Sequence, residues 1–133
     1  NNAQTKHETL SRTGEFDTII NYIRENKITG VIFINGDRHH SEMFKHQIDG
    51  VYPIYEFTNS SLTSIPIGIG KRSPEYNKPA RIQGVTKDHV FGIISIKKKK
   101  KSGIWTCLLS TINKKGKLLW EVNIQSDELE WVE

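Results

Sequence analysis

The spacing of apolar residues predicts one amphipathic helix near the start of the chain. Four apolar residues recur at intervals of three and four and so share one helical face, namely Phe16, Ile19, Ile20 and Ile23. We place the helix over residues 14–26. Thr13 is a candidate for its N-cap, and Asn26 is a candidate for a left-handed residue that stops it.

A short apolar run within residues 28–37 follows this helix and predicts a strand that ends at a turn. Its central residues, 31–34, are all apolar and include two β-branched types of side chain, which is typical of a strand buried on both faces. The run ends in the turn sequence Asn35-Gly36-Asp37. A buried strand directly after a helix is typical of α/β packing, where ligands lie beyond the carboxyl ends of strands. The polar residues after this strand are therefore candidates for a site.

The remaining two thirds of the chain are predicted to be mostly β-structure. Residues 41–50 favour no element, 51–58 read as a strand, and 59–80 carry three of the four prolines and read as a long loop. Four further strands are predicted over 81–85, 89–97, 103–113 and 117–125, with a hairpin turn at 113–116. We therefore expect one α+β domain over residues 1–133, with an N-terminal helix followed by mostly antiparallel strands.

Composition narrows the possible classes of protein. A chain of 133 residues fits a single domain, and no apolar run approaches the ~18 residues that a membrane-spanning helix needs. The single cysteine, Cys107, excludes an intrachain disulfide and a cysteine-based zinc site, and its apolar neighbours favour a buried, unreactive thiol.

The positive net charge comes from one segment. Of 19 basic residues, five are consecutive lysines at 97–101, and without them 14 basic residues would face 15 acidic ones, a net charge of −1. No arginine or aromatic residue interrupts the lysines, as base stacking would require. A solvated hairpin tip is therefore the preferred interpretation, ahead of contact with nucleic acid or an anionic membrane surface.

The candidate chemistry is concentrated in residues 36–40, Gly-Asp-Arg-His-His. Asp37 and His39 lie two positions apart just beyond a predicted strand, so a carboxylate and an imidazole can reach one metal ion. Oxygen and nitrogen ligands suit iron, manganese, zinc or calcium without choosing among them. The alternative is a hydrated, charged turn, and the spacing alone leaves both interpretations open.

Three segments resemble the PhoD-like alkaline phosphatases, a branch of the calcineurin-like metallophosphoesterases. Residues 30–43 (GVIFINGDRHHSEM) are similar to the last metal-binding motif of the family. Residues 52–63 (YPIYEFTNSSLT) are similar to its YPLYDLTSSPLT segment, with Asn59 and Ser61 as departures. Residues 89–92 (HVFG) are similar to a later HNFG segment. The segments occur in the family's order, and the resemblance covers residues 15–125.

The resemblance implies a β-sandwich flanked by helices and a metal-dependent hydrolysis of phosphate esters. It implies that Asp37 and His39 bind metal, with Arg38 and His40 as candidate phosphate contacts. The PhoD branch uses iron with calcium, while manganese or zinc serve elsewhere. Exported proteins are common in this branch.

The upstream motifs of the superfamily are missing, because no Asp-x-His or Gly-Asn-His precedes Gly36. We therefore expect this chain to be the C-terminal region of a phosphatase or phosphodiesterase and to be inactive alone. Its partners would be a phosphate ester and either the remaining part of the same domain or another copy of the chain. The alternative is a naturally short, non-catalytic β-rich binding module of the same fold.

Other polar residues are weaker candidates. His89 could approach the site, although a single histidine at the start of a strand is more often structural. Ser60, Ser61 and Thr63 could contact phosphate, but hydroxyl-rich loops are more often simple turns. His46 is expected to face solvent.

Overall fold

A computed structural model describes residues 14–131, which contain one α-helix and seven strands in two sheets. The helix is α1 (Glu15–Glu25). The strands are β1 (Ile32–Asn35), β2 (Ser41–His46), β3 (Ile54–Thr58), β4 (Arg81–Thr86), β5 (Val90–Lys98), β6 (Trp105–Asn113) and β7 (Leu118–Gln125). A 3-10 helix, Ser126–Leu129, follows β7. This is the α+β class that the sequence predicts.

The first sheet has four strands in the order β1-β3-β2-β4, and the second has three in the order β5-β6-β7. Strand β1 is parallel to β3, and all other pairs are antiparallel. The four strands predicted in the last third of the chain are confirmed to within two residues at each end. The prediction gave no element for 41–50, where β2 lies, because β2 buries serine and glutamate beside its apolar residues.

The predicted helix is confirmed, and its buried face includes Ile20 and Ile23. Thr13, the predicted cap, lies outside the described residues. Asn26 is the C-cap, but the prediction that it is left-handed is wrong, since its φ is −95° and the left-handed residue is Lys27 at 49°. The Asn26 amide instead donates to the Tyr22 carbonyl oxygen at 2.9 Å. The side chain thus ends the helix through a hydrogen bond to its last turn.

The two sheets pack face to face, and aromatic side chains fill the space between them. Phe57 of β3 meets Trp120 of β7 edge to face, with ring centroids 5.8 Å apart. Gly92 of β5 lies directly against the Phe57 ring. A Cβ added at Gly92 would be only 2.8 Å from Cε1 of that ring. Met43, Leu109 and Ile124 complete the interior. The core therefore forms between the sheets, with α1 packed on the same cluster.

The prediction that the first strand is buried on both faces is wrong. Strand β1 is the edge of its sheet, and Ile34 is 64% exposed. Ile34 is in register with Phe57, so its side chain faces the second sheet. The second sheet ends at β5, and β5 lies under β3, because Gly92 of β5 contacts Phe57 of β3. No strand of the described chain covers Ile34.

Strand β5 is exposed on the same side of the sandwich. Ile94 and Ile96 are in register with Leu109 and Cys107, which pack in the core, yet they are 41% and 63% exposed. We call Ile34, Ile94 and Ile96 the open side. The opposite side is closed by Trp120, whose indole N–H donates to Thr86 Oγ1 at 3.1 Å.

The lysine run lies at the end of the β5–β6 hairpin, with Lys97 and Lys98 at the end of β5 and the other three lysines in the turn, where a hairpin tip was predicted. All five lysines are exposed, and Lys99 and Gly103 close the turn by a backbone hydrogen bond of 2.9 Å. Cys107 is half-buried against the core, and burial raises the pKa of its thiol. The prediction for His46 is wrong: its ring stacks on Phe44 and lies 2.8 Å from Glu56 Oε2. No helix in the described part of the chain has the length and apolar character to cross a membrane.

Candidate functional site

The candidate site is the tight turn between β1 and β2. Its backbone is left-handed at Asp37 (φ 63°) and again at His39 (φ 56°), and the Arg38 N–H donates to the Gly36 carbonyl oxygen at 2.8 Å. Non-glycine residues rarely adopt this conformation, and they keep it only where the surroundings impose it. The chain therefore reverses within five residues, and Asp37 is exposed at the reversal.

His39 is held from three directions by the loop that follows β3. Its backbone N–H donates to Ser60 Oγ at 3.0 Å, and its carbonyl oxygen accepts the Ile67 N–H at 2.7 Å. Its ring Nδ1 lies 2.9 Å from the carbonyl oxygen of Ile65. A carbonyl can only accept, so Nδ1 carries the proton and, in the neutral ring, Nε2 keeps its lone pair.

His40 is buried and points into the protein. It is 2% exposed, and its Nδ1 lies 3.2 Å from the Ile67 carbonyl oxygen. Its Nε2 is 3.1 Å from Glu42 Oε1, close enough for a charge interaction although too bent for a regular hydrogen bond. The contact of His40 with phosphate stays a prediction. In the structure both of its ring nitrogens face groups of the chain itself.

Glu42 is the centre of a buried charge network. Arg81 of β4 donates to its Oε2 from Nη2 at 2.7 Å and from Nε at 3.0 Å. Burial by itself raises the pKa of the Glu42 carboxyl, but the interactions with His40 and Arg81 outweigh it, and the net pKa is lowered. The carboxylate is therefore ionised while only 5% of its side chain is exposed.

The same network fastens the far end of the long loop. Arg38 pairs with the Glu75 carboxylate, and its Nε is 4.0 Å from Glu42 Oε1. Arg81 also donates to the backbone carbonyl oxygens of Glu75 (2.8 Å) and Tyr76. Arg38, predicted as a phosphate contact, thus takes part in holding the loop against the sheet. Residues 59–80, predicted as a loop, contain no helix or strand but are anchored at both ends.

His89 is joined to the same region through two serines. Its Nδ1 lies 2.9 Å from the carbonyl oxygen of Ser61, the neighbour of the Ser60 that binds His39. Ser61 is buried and left-handed (φ 73°), and its hydroxyl donates to the Asp88 carbonyl oxygen at 2.8 Å. The structure therefore brings the motifs at 36–40, 59–63 and 89 together at one end of the sandwich.

The residues at this turn fit part of a metal site. Asp37 supplies an exposed carboxylate, and His39 has the tautomer that a metal-binding imidazole needs, with its other nitrogen hydrogen-bonded to the protein. Within residues 14–131 no group of three or more histidine, cysteine, aspartate or glutamate side chains is placed to hold one ion. Two ligands alone bind metal weakly, so a complete site would need ligands from outside these residues.

The sequence analysis missed Glu42, Arg81 and Glu75. Arg81 is 39 positions from Glu42, and no local spacing pairs them. The one available signal was Glu42 itself. It lies in a stretch that folds as a buried strand, and a buried charge requires a partner.

Comparisons with known proteins find no relative. No family model matches the chain, and neither a curated protein nor a solved structure matches it at a significant level.

Proposed function

We propose that this chain is the C-terminal region of a metal-dependent phosphoesterase that hydrolyses phosphate esters, and that it supplies Asp37 and His39 as metal ligands. One observation carries the proposal. The turn after β1 carries an exposed carboxylate, Asp37, two positions before His39, whose Nδ1 faces the Ile65 carbonyl oxygen and whose Nε2 is left as an acceptor. The three segments that resemble PhoD-like phosphatases also meet at this end of the sandwich, where Ser60 contacts His39 and Ser61 contacts His89.

Iron, calcium, manganese or zinc all accept this donor set, and iron with calcium is the pair that the resemblance favours. When bound, such an ion would polarise a phosphoryl oxygen of the ester. Asp37 would contribute charge and His39 a fixed nitrogen, while Arg38 and Glu75 hold the turn against the loop. The remaining ligands would come from outside residues 14–131, which agrees with the inactivity expected of the chain alone.

The test uses the protein at the length found in its source cells, established by an antibody against this chain. Asp37→Asn and His39→Gln are assayed for hydrolysis of p-nitrophenyl phosphate and bis-p-nitrophenyl phosphate with Mn²⁺ or with iron and calcium. We expect turnover to fall by about 100-fold or more, because a metal ligand is lost. The matched control is Asp49→Asn, which changes an exposed aspartate in the loop after β2. Wild-type turnover in Asp37→Asn would refute the assignment.

A non-catalytic binding module is the second candidate, and the open side favours it. Ile34, Ile94 and Ile96 expose apolar surface on two unpaired edge strands, as a surface awaiting a protein partner would. That partner would be the remaining part of the domain or another copy of the chain. A native mass near 15.3 kDa together with no hydrolysis of either ester would favour this candidate.

A further inference from the structure

The loop after β3 contacts His39 on both its backbone and its ring. Ser60 accepts the backbone N–H of His39, while Ile65 and Ile67 bind its ring and its carbonyl oxygen. These three hydrogen bonds, of 2.7–3.0 Å, engage every polar group of His39 except Nε2. The loop therefore specifies both the backbone conformation and the ring orientation of this residue.

Ser60 acts on the backbone of His39. The left-handed φ of 56° is unfavourable for a residue that carries a Cβ, so the surroundings must impose it. The Ser60 hydroxyl is the group that receives the His39 N–H in this conformation. Without that hydroxyl, the N–H would lose its partner and the left-handed conformation would lose part of its support.

Pro66 acts on the ring. It lies between Ile65 and Ile67, whose carbonyl oxygens face Nδ1 of His39 and Nδ1 of His40 respectively. Proline fixes its own φ and restricts the residue before it to extended conformations. The two carbonyl groups are thus held at a constant spacing, which matches the two successive histidines.

We propose that Ser60 and Pro66 are positioning residues for the metal ligand His39: Ser60 holds its left-handed backbone, and Pro66 aligns the Ile65 carbonyl that keeps the proton on Nδ1. Nε2 is thereby presented as the acceptor before any ion arrives. This inference rests on the proposed function, in which His39 binds metal. It assigns the loop at 59–67 to support of the ligand.

The test measures the ring and the metal separately, on the protein at the length found in its source cells. Nitrogen-detected NMR of the histidine rings at pH 8.5 reports which nitrogen carries the proton, and paramagnetic broadening during a Mn²⁺ titration reports metal affinity. The variants are Ser60→Ala, Ser60→Thr and Pro66→Ala. Ser64→Ala is the matched control, since Ser64 lies in the same loop outside these hydrogen bonds.

We expect His39 of the wild type to carry its proton on Nδ1. In Ser60→Ala and Pro66→Ala the two tautomers should mix, and Mn²⁺ affinity should fall about 10- to 100-fold, as for other groups that orient metal ligands. Ser60→Thr should restore both properties, and Ser64→Ala should change neither. A folded Ser60→Ala with the wild-type tautomer and affinity would overturn the inference, as would a wild-type ring protonated on Nε2. A wild type with the expected tautomer and no Mn²⁺ broadening would instead refute the proposed function.

Discussion

Arg81 and Glu42 form a buried ion pair, with two guanidinium nitrogens on one carboxylate oxygen at 2.7 and 3.0 Å. Their side chains are 7% and 5% exposed. The pair joins β4 to β2 and, through Arg81, secures the backbone at Glu75 and Tyr76. One interaction thus links the edge of the first sheet to the end of the long loop.

Removing the Arg81 guanidinium should destabilise the fold strongly. Arg81→Met leaves Glu42 buried with one fewer partner, and breaking a buried pair in this way costs about 3–5 kcal/mol. Urea unfolding followed by tryptophan fluorescence measures the loss. Arg72→Met, at an exposed position in the same loop, is the control and should cost less than about 0.5 kcal/mol. Equal costs for the two variants would show that the ion pair contributes nothing.

The Glu42 carboxylate should also make stability depend on acid. Its pKa lies below the ordinary value of 4.5, so the unfolded chain takes up a proton before the folded chain does. The stability from this group is therefore fully present above about pH 5.5 and is lost as the pH falls through 4.5 towards the folded pKa.

Glu42→Gln isolates this effect. The difference in the free energy of unfolding between wild type and Glu42→Gln should be constant from pH 6 to 7 and should shrink as the pH is lowered from 5 to 3. Glu121→Gln, at an exposed position of β7, serves as the control. A difference that grows on acidification would mean that the folded state raises the pKa of Glu42 and would contradict the prediction.

The contact between Gly92 and Phe57 should tolerate no added methyl group. In Gly92→Ala the new Cβ would lie 2.8 and 3.0 Å from two ring carbons and 3.2 Å from Asn59 Cγ. The two sheets would have to separate locally, at a cost of about 1–3 kcal/mol. Gly70→Ala, where a Cβ meets nothing within 4 Å, is the control. Thermal unfolding of both variants tests the prediction. The prediction fails if Gly92→Ala unfolds at the same temperature as the wild type.

The open side should bind apolar dyes. The double variant Ile34→Thr with Ile96→Thr replaces its two most exposed side chains. We expect anilinonaphthalene sulfonate fluorescence of the isolated chain to drop several-fold with stability little changed, because both side chains already contact water. Ile82→Thr, on the β4 edge and 42% exposed, should leave the fluorescence nearly unaltered. Undiminished fluorescence in the double variant would mean that the dye binds elsewhere.

Elements with regular periodicity were predictable from the sequence. The spacing of Phe16, Ile19 and Ile23 located α1, and alternation along 117–125 located β7, since such patterns follow from the geometry of one helix or strand. Strand β2 escaped prediction because the buried Glu42 is paired with Arg81, a residue of another strand. The exposure of Ile34 escaped prediction because an apolar run does not reveal which strands lie beside it.

The candidate site was likewise predictable only in part. The sequence by itself determined that a carboxylate and two histidines follow a strand end, because residue types and their order in a tight turn are local properties. Only the tertiary structure decided that His40 is buried against Glu42, that Arg38 pairs with Glu75, and that a loop more than 20 residues away holds His39. These outcomes depend on hydrogen bonds between distant segments, and such bonds form only when the packing of the two sheets brings those segments together.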